Sequence, residues 1–136
     1  MTTYDPAMLP APTELTAPWW SACDGQRLLV QECGACGQRW FTPEAICIHC
    51  TSPVWAWVES PGAGHVYSLT VVQRAPRPEF EAPYVIAVVE LDDGWSMLTN
   101  LVGRDPGKWQ NGDRVQVTFR PVGARRVPAF ESAVAA

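Results

Sequence analysis

Two pairs of cysteines, Cys33-x2-Cys36 and Cys47-x2-Cys50, constrain what this chain can fold into more than any other feature. A CxxC loop aims both thiolates at one point, and two such knuckles close a tetrahedral four-sulfur cage around one metal ion. Gly34 and Gly37 let the first knuckle turn tightly. The ten residues between Cys36 and Cys47 leave room for one short hairpin, the geometry of a zinc ribbon or rubredoxin-like finger. A four-thiolate cage has no open position for water or substrate, so the metal expected at Cys33, Cys36, Cys47 and Cys50 is structural. Spacing alone does not separate zinc from iron, since both accept tetrahedral thiolates. Zinc is favoured, because an iron electron carrier of rubredoxin size would use less than half the chain. His49, inside the second knuckle, reads as a solvated loop residue beside four cysteines already in register. Cys23, ten residues before the cage, reads as a half-buried helix residue without a basic partner to make it a nucleophile.

Composition narrows the function classes. The chain has 136 residues, 47% of them hydrophobic, with seven tryptophans and a net charge of −4. The length allows one domain and a small satellite module, and the acidic balance argues against general nucleic-acid binding. The charge is uneven: four arginines and no acid lie from Arg114 to Arg126, whereas the first 32 residues carry Asp5, Glu14, Asp24 and Glu32 against Arg27. Such a local basic strip suits a phosphorylated small molecule. There is no basic-then-apolar leader, no apolar run of membrane-spanning length, and the cysteine usage fits a reducing compartment, so a cytoplasmic protein is expected.

Along the chain, residues 1–15 carry prolines 6, 10 and 12 and read as an extended arm. Thr16 offers a helix N-cap with Pro18 in the first turn, and Gly25 ends the run. The short helix between them carries Trp19 and Trp20, which project about 100° apart; two bulky aromatics on a marginal helix predict a partner interface. Strands are expected at Arg27–Glu32, Arg39–Phe41, Val54–Glu59, His65–Val72, Tyr84–Leu91, Trp95–Val102 and Arg114–Arg120, with a short last one at Arg126–Phe130. Asp92-Asp93-Gly94 is a tight-hairpin signal. The hairpin tip also accounts for the two adjacent carboxylates without a metal or acid–base role. Mainly β, the chain is thus laid out as a proline-rich arm and short helix (1–26), a zinc ribbon (27–53) and a five-stranded OB-fold barrel (54–136). A β-sandwich would need about seven strands.

Several segments together resemble a known family. They are Pro18-Trp19-Trp20, Arg27-Leu28-Leu29-Val30-Gln31, the two cysteine pairs, Trp57-Val58-Glu59-x-x-Gly62-x-Gly64-x-Val66-Tyr67-Ser68, Pro83 to Leu91, and Leu98-Thr99-Asn100-Leu101-Val102-Gly103. Over residues 16 to 121 the chain resembles the "domain of unknown function 35" family, whose architecture is a short helix, a rubredoxin-like zinc ribbon and an OB-fold. The resemblance implies a partner: a thiolase-fold protein (a thiolase, or a retro-aldolase of steroid side-chain breakdown) or a MaoC-type enoyl-CoA hydratase. The small chain would support the complex and help hold the acyl-CoA while the large one performs the carbon chemistry. Dimeric thiolase-fold partners would favour a two-plus-two assembly. The proline-rich arm and the Arg125-Arg126 segment depart from the family pattern.

The residues agree in kind, for no nucleophile–base pair or serine elbow is spelled out. Coenzyme A asks for arginines against its phosphates and an apolar surface for its arm. Arg74-Ala75-Pro76-Arg77-Pro78-Glu79-Phe80, an extended loop between two long strands, offers Arg74, Arg77 and Phe80, and Arg125 and Arg126 would add to it if the last strand runs alongside. The alternative function is a single-stranded nucleic-acid module using Trp55, Trp57 and Trp95 as stacking platforms.

Overall fold

The computed structural model describes residues 9–78 and 80–133; the first eight residues of the proline-rich arm, and Glu79 in the arginine-bearing loop, lie outside the described residues. One helix, α1 (Ala17–Asp24), precedes eight strands: β1 (Leu29–Cys33), β2 (Arg39–Trp40), β3 (Trp55–Glu59), β4 (Ala63–Val72), β5 (Tyr84–Leu91), β6 (Ser96–Leu101), β7 (Arg114–Val122) and β8 (Arg125–Ser132). Among the described residues no helix is long and apolar enough to cross a membrane.

Thr16 stands at the N-cap position of the helix, as expected, but in the right-handed helical region and without a side-chain cap bond into the helix; its side chain and backbone bond to Thr13 instead. The Thr16 N–H donates to Thr13 Oγ1 at 3.1 Å and the Thr13 N–H donates to Thr16 Oγ1 at 2.9 Å, a reciprocal capping box that satisfies two orphan donors. At the other end Gln26, with φ of 59°, rather than Gly25, takes the left-handed turn.

Strands β4-β5-β6-β8-β7 close a barrel, and β2-β1-β3 form a separate three-stranded sheet. The number five was right and its membership was not. Val54–Glu59, expected as the first barrel strand, pairs over its length with β1. The eighth strand, expected as a short afterthought, runs for eight residues and closes the barrel against β7. The physical reason is burial. β3 alternates only weakly between half-buried and exposed residues, whereas β5 alternates strictly and turns Val85, Ala87, Val89 and Leu91 inward, the pattern of a strand with one face on a core.

The two sheets share that core. Leu28 and Val30, from the ribbon, are buried in the same cluster as Val66, Val85, Val89, Val115 and Phe130 of the barrel, so ribbon and barrel pack on one continuous core. Gly64 allows β4 to lie close on β5: a Cβ there would stand 2.2 Å from the Glu90 carbonyl oxygen. Gly62 turns with φ of +73°, and its Cβ would meet Val117 Cγ1 at 2.2 Å. These are the two glycines of the Gly62-x-Gly64 segment.

Candidate metal centre and ligand surface

The four cysteine sulfurs, carried on two loops, converge within 4.8 Å of one another. Cys33 and Cys50 Sγ are 3.6 Å apart and Cys36 and Cys47 Sγ 3.7 Å. A tetrahedron with metal–sulfur bonds of about 2.3 Å has edges of about 3.8 Å, so the donor set fits one four-coordinate ion. Backbone N–H groups of Ala35 and Cys36 donate to Cys33 Sγ at 3.3 and 3.4 Å. Led by the Cys36 N–H, these bonds lower the Cys33 thiol to about 6, while burial and the neighbouring sulfurs raise Cys36 and Cys50, so that without a cation the cage favours one thiolate, at Cys33. His49 holds the cage with its backbone, its N–H donating to Cys47 Sγ at 3.3 Å, and its ring is not among the clustered ligands.

Two supports fix the cage to the rest of the fold, and neither was legible as a site. Gln31, fully buried, donates through Nε2 to the Glu44 carbonyl at 2.7 Å and accepts the Glu44 N–H at 2.9 Å. This clamps the loop that delivers the second knuckle onto β1. Arg39 donates to Glu32 at 2.8 Å and to Asp93 at 2.6 Å. Asp93 also accepts from Trp95 Nε1 at 2.9 Å and Ser60 Oγ at 3.1 Å. The hairpin carboxylates are therefore not a metal pair: Asp93 ties ribbon to barrel, and Asp92 is bound by Arg114.

Each predicted contact residue has a definite place. Trp19 is buried, with its ring centroid 5.5 Å from that of Phe41, while Trp20 stays half-buried and meets Trp19 edge to face at 4.9 Å. The helix presents one tryptophan outward, not two. Cys23, expected half-buried, is fully buried, and burial, with Asp24 adding repulsion, pushes its thiol up to about 12; it is no nucleophile. Arg125 and Arg126 do not join Arg74 and Arg77. Arg126 donates to the Asp24 carbonyl at 2.7 Å through its guanidinium and to Asp24 Oδ1 at 3.0 Å through its N–H. Arg125 pairs with Asp24 Oδ2 at 3.4 Å and lies 5.3 Å over the Trp20 ring. The two arginines are thus drawn to the C-terminal end of α1, where the helix dipole and a carboxylate both attract cations. Arg74 and Arg77 stay exposed on their loop, and Phe80 stacks on Tyr84 at 5.8 Å.

Of the tryptophans weighed as stacking platforms, Trp95 is buried with its N–H bonded to Asp93. Trp55 packs edge to face on Trp40 and Trp57 and donates to the Ala45 carbonyl. Trp95 thus belongs to the barrel core and Trp55 to the cluster behind the cage, so the three rings do not form one solvent-facing array.

Comparison with known proteins matches this geometry to named relatives. Residues 20–56 match the family described as "ChsH2, rubredoxin-like zinc ribbon domain" and residues 57–120 match "ChsH2, C-terminal OB-fold domain". The chain is 32% identical, over 81% of its length and 84% of the relative's, to a "DUF35 domain-containing scaffold protein" of Methanothermobacter thermautotrophicus. It is 40% identical, over 92% of its length, to a "Probable enoyl-CoA hydratase alpha subunit" of Thermomonospora curvata, of which it spans 40%. A chain of the solved "Ltp2-ChsH2(DUF35) aldolase" superposes with a TM-score of 0.83 at 39% identity, over 93% of this chain and 100% of that one.

Proposed function

The chain belongs to the DUF35 family, and on that premise we propose that it is a non-catalytic accessory subunit of a thiolase-fold acyl-CoA enzyme, a thiolase or a retro-aldolase of steroid or fatty acyl-CoA side-chain degradation. The observation that carries this reading is the likeness, end to end, to the DUF35 chain of a solved aldolase. The relative named as a probable enoyl-CoA hydratase alpha subunit supports an acyl-CoA setting and keeps a MaoC-type hydratase as the other candidate partner. The architecture is consistent in kind. Its metal cage, read as zinc, is filled by four thiolates and serves structure. The Cys23 thiol, buried outside the cage, is pushed toward its protonated form, and His65 faces Glu90 at 3.3 Å across the β4–β5 ladder.

In this reading the half-exposed Trp20, braced by buried Trp19, and the ribbon supply the partner contact, in a two-plus-two hetero-oligomer. Arg74, Arg77 and Phe80 meet the coenzyme A phosphates and arm. Arg125 and Arg126 are withdrawn from that role because they hold α1.

Affinity capture of the tagged chain from its native host, with mass spectrometry of the eluate, tests the reading. A stoichiometric thiolase-fold or MaoC-type partner whose acyl-CoA turnover needs this chain supports it. A chain that elutes alone, or with nucleic acid, overturns it. In the recovered complex, reversing the charge of Arg74 and Arg77 together raises KM for acyl-CoA and leaves folding intact; unchanged kinetic constants remove the loop from the proposal.

A further inference from the structure

The barrel is not zipped evenly. Strands β6 and β8 meet at one residue pair, Leu101 with Phe130, while β7 and β8 pair over eight. Alongside the β6–β8 seam lies a groove of about 340 Å³. Met97 and Leu98 form one wall, Val127 and Pro128 the other, and the α1 tryptophans and Phe41 close an end. At Phe80, Leu98, Thr99 and Asn100 it runs into a second depression that reaches Tyr84 and Ile86. An apolar track therefore leads from α1 to the base of the loop that carries Arg74 and Arg77.

Its polar groups gather in one place. Asn100 donates to the Val85 carbonyl at 2.9 Å and accepts from the Arg120 guanidinium at 3.3 Å. Beside it Thr99, only 9% exposed, carries a buried hydroxyl with no hydrogen-bond partner among the described residues. A buried hydroxyl without a partner is costly. Apolar walls with a few converging polar groups, in a volume of this size, describe a small-molecule site for a hydrocarbon with one polar end. Leu98, 66% exposed on the lip, is an apolar residue held in water unless something covers it. The cations lie at the far end of the track, on the Phe80 side, where a phosphorylated carrier would find them.

We propose that this groove holds the acyl group of a coenzyme A thioester, its hydrocarbon against Trp20, Leu98 and Val127 and its carbonyl end at Asn100 and Arg120. The inference rests on the acyl-CoA reading above and adds to it the place of the acyl chain. Phe80 marks the passage from groove to loop. The adenine end stays outside the groove, on the side of the loop where Arg74 and Arg77 lie exposed.

Calorimetric titration of the full, metal-loaded chain with butyryl-, hexanoyl- and octanoyl-CoA, with coenzyme A and with octanoate tests it. The expected result is a Kd that falls roughly two- to fourfold for each added methylene, with coenzyme A at least about tenfold weaker than octanoyl-CoA. Leu98→Glu, at an exposed position that leaves folding intact, weakens octanoyl-CoA about tenfold and does not change coenzyme A. Val127→Trp, which fills the groove, does the same. A Kd indifferent to chain length, binding absent for every acyl ligand, or Leu98→Glu without effect overturns the proposal. A thiolase-fold partner recovered alongside any of these would leave the subunit reading standing. Octanoate binding with chain-length dependence, and no gain from the coenzyme A moiety, keeps the groove and removes the coenzyme from the reading.

Discussion

The ribbon and the barrel are held together by different physics. In the ribbon, β2 is two residues long and pairs with β1 at two positions. The cluster behind the cage is small, Cys33, Cys47, Trp40 and Trp55, so the knuckles depend on the metal. The barrel is held by a core gathered from residues 66 to 130, with Leu28, just before β1, and Val30, within it, lending their side chains from the ribbon. One region is stabilised by a local event between residues 33 and 50; the other by burial that needs most of the chain at once. The ribbon is therefore expected to be able to fail without the barrel, while the join between them, Leu28, Val30, Gln31 and the Arg39–Asp93 pair, belongs to both.

The largest effect expected is from the metal. Binding in finger-type sites contributes about 10–16 kcal/mol apparent, so chelation should release the knuckles. Hydrogen exchange should then show protection lost over residues 33–53 and kept in β4 to β8, because β1 upstream of the cage stays anchored by Leu28 and Val30. Loss of protection throughout would show one cooperative unit and end the comparison.

Next in size is the barrel's own test. Phe130 is fully buried, and Phe130→Ala should destabilise the fold by about 3–5 kcal/mol, read from a urea midpoint. Metal affinity, measured by competition with a chelator, should not change if the ribbon is local. Gly64→Ala comes third, at about 1–3 kcal/mol, since its Cβ would collide with the Glu90 carbonyl rather than with a yielding side chain; the barrel transition should move and the metal should stay.

The smallest effect lies at the hairpin. The hydrogen-bonded Arg114 guanidinium holds the Asp92 carboxyl below its usual value. A depressed carboxyl contributes stability that is complete above the unfolded pKa, near about 4, and is lost as pH falls through the lower folded value. Arg114→Gln should therefore lower stability slightly at neutral pH, the pair being exposed, and leave it unchanged below the folded pKa of Asp92, so that the acid limb of the stability profile flattens. An identical acid limb in the variant would show that the pair does not couple to folding.

The cage was legible residue by residue, because thiolate spacing is a local code and four sulfurs have one way to meet an ion. Strands β4 to β7 were legible from alternation. The Thr13–Thr16 pairing was within reach too, since two threonines three apart ahead of an apolar run can exchange side-chain and backbone bonds as a capping box does. Arg125 and Arg126 were misread for a different reason. A pair of arginines in sequence says nothing of Asp24, which lies 102 positions from Arg126 and meets it only in the fold.

By itself, then, the sequence determined the metal centre, the mainly β class, the one helix and the short turns, all of which depend on residues a few positions apart. Tertiary structure alone decided that Val54–Glu59 joins the ribbon, that Asp93 receives Arg39, Trp95 and Ser60, and that β6 and β8 leave a groove at their seam. Those outcomes turn on which distant surfaces can be buried together, and burial is a property of the assembled core rather than of any segment.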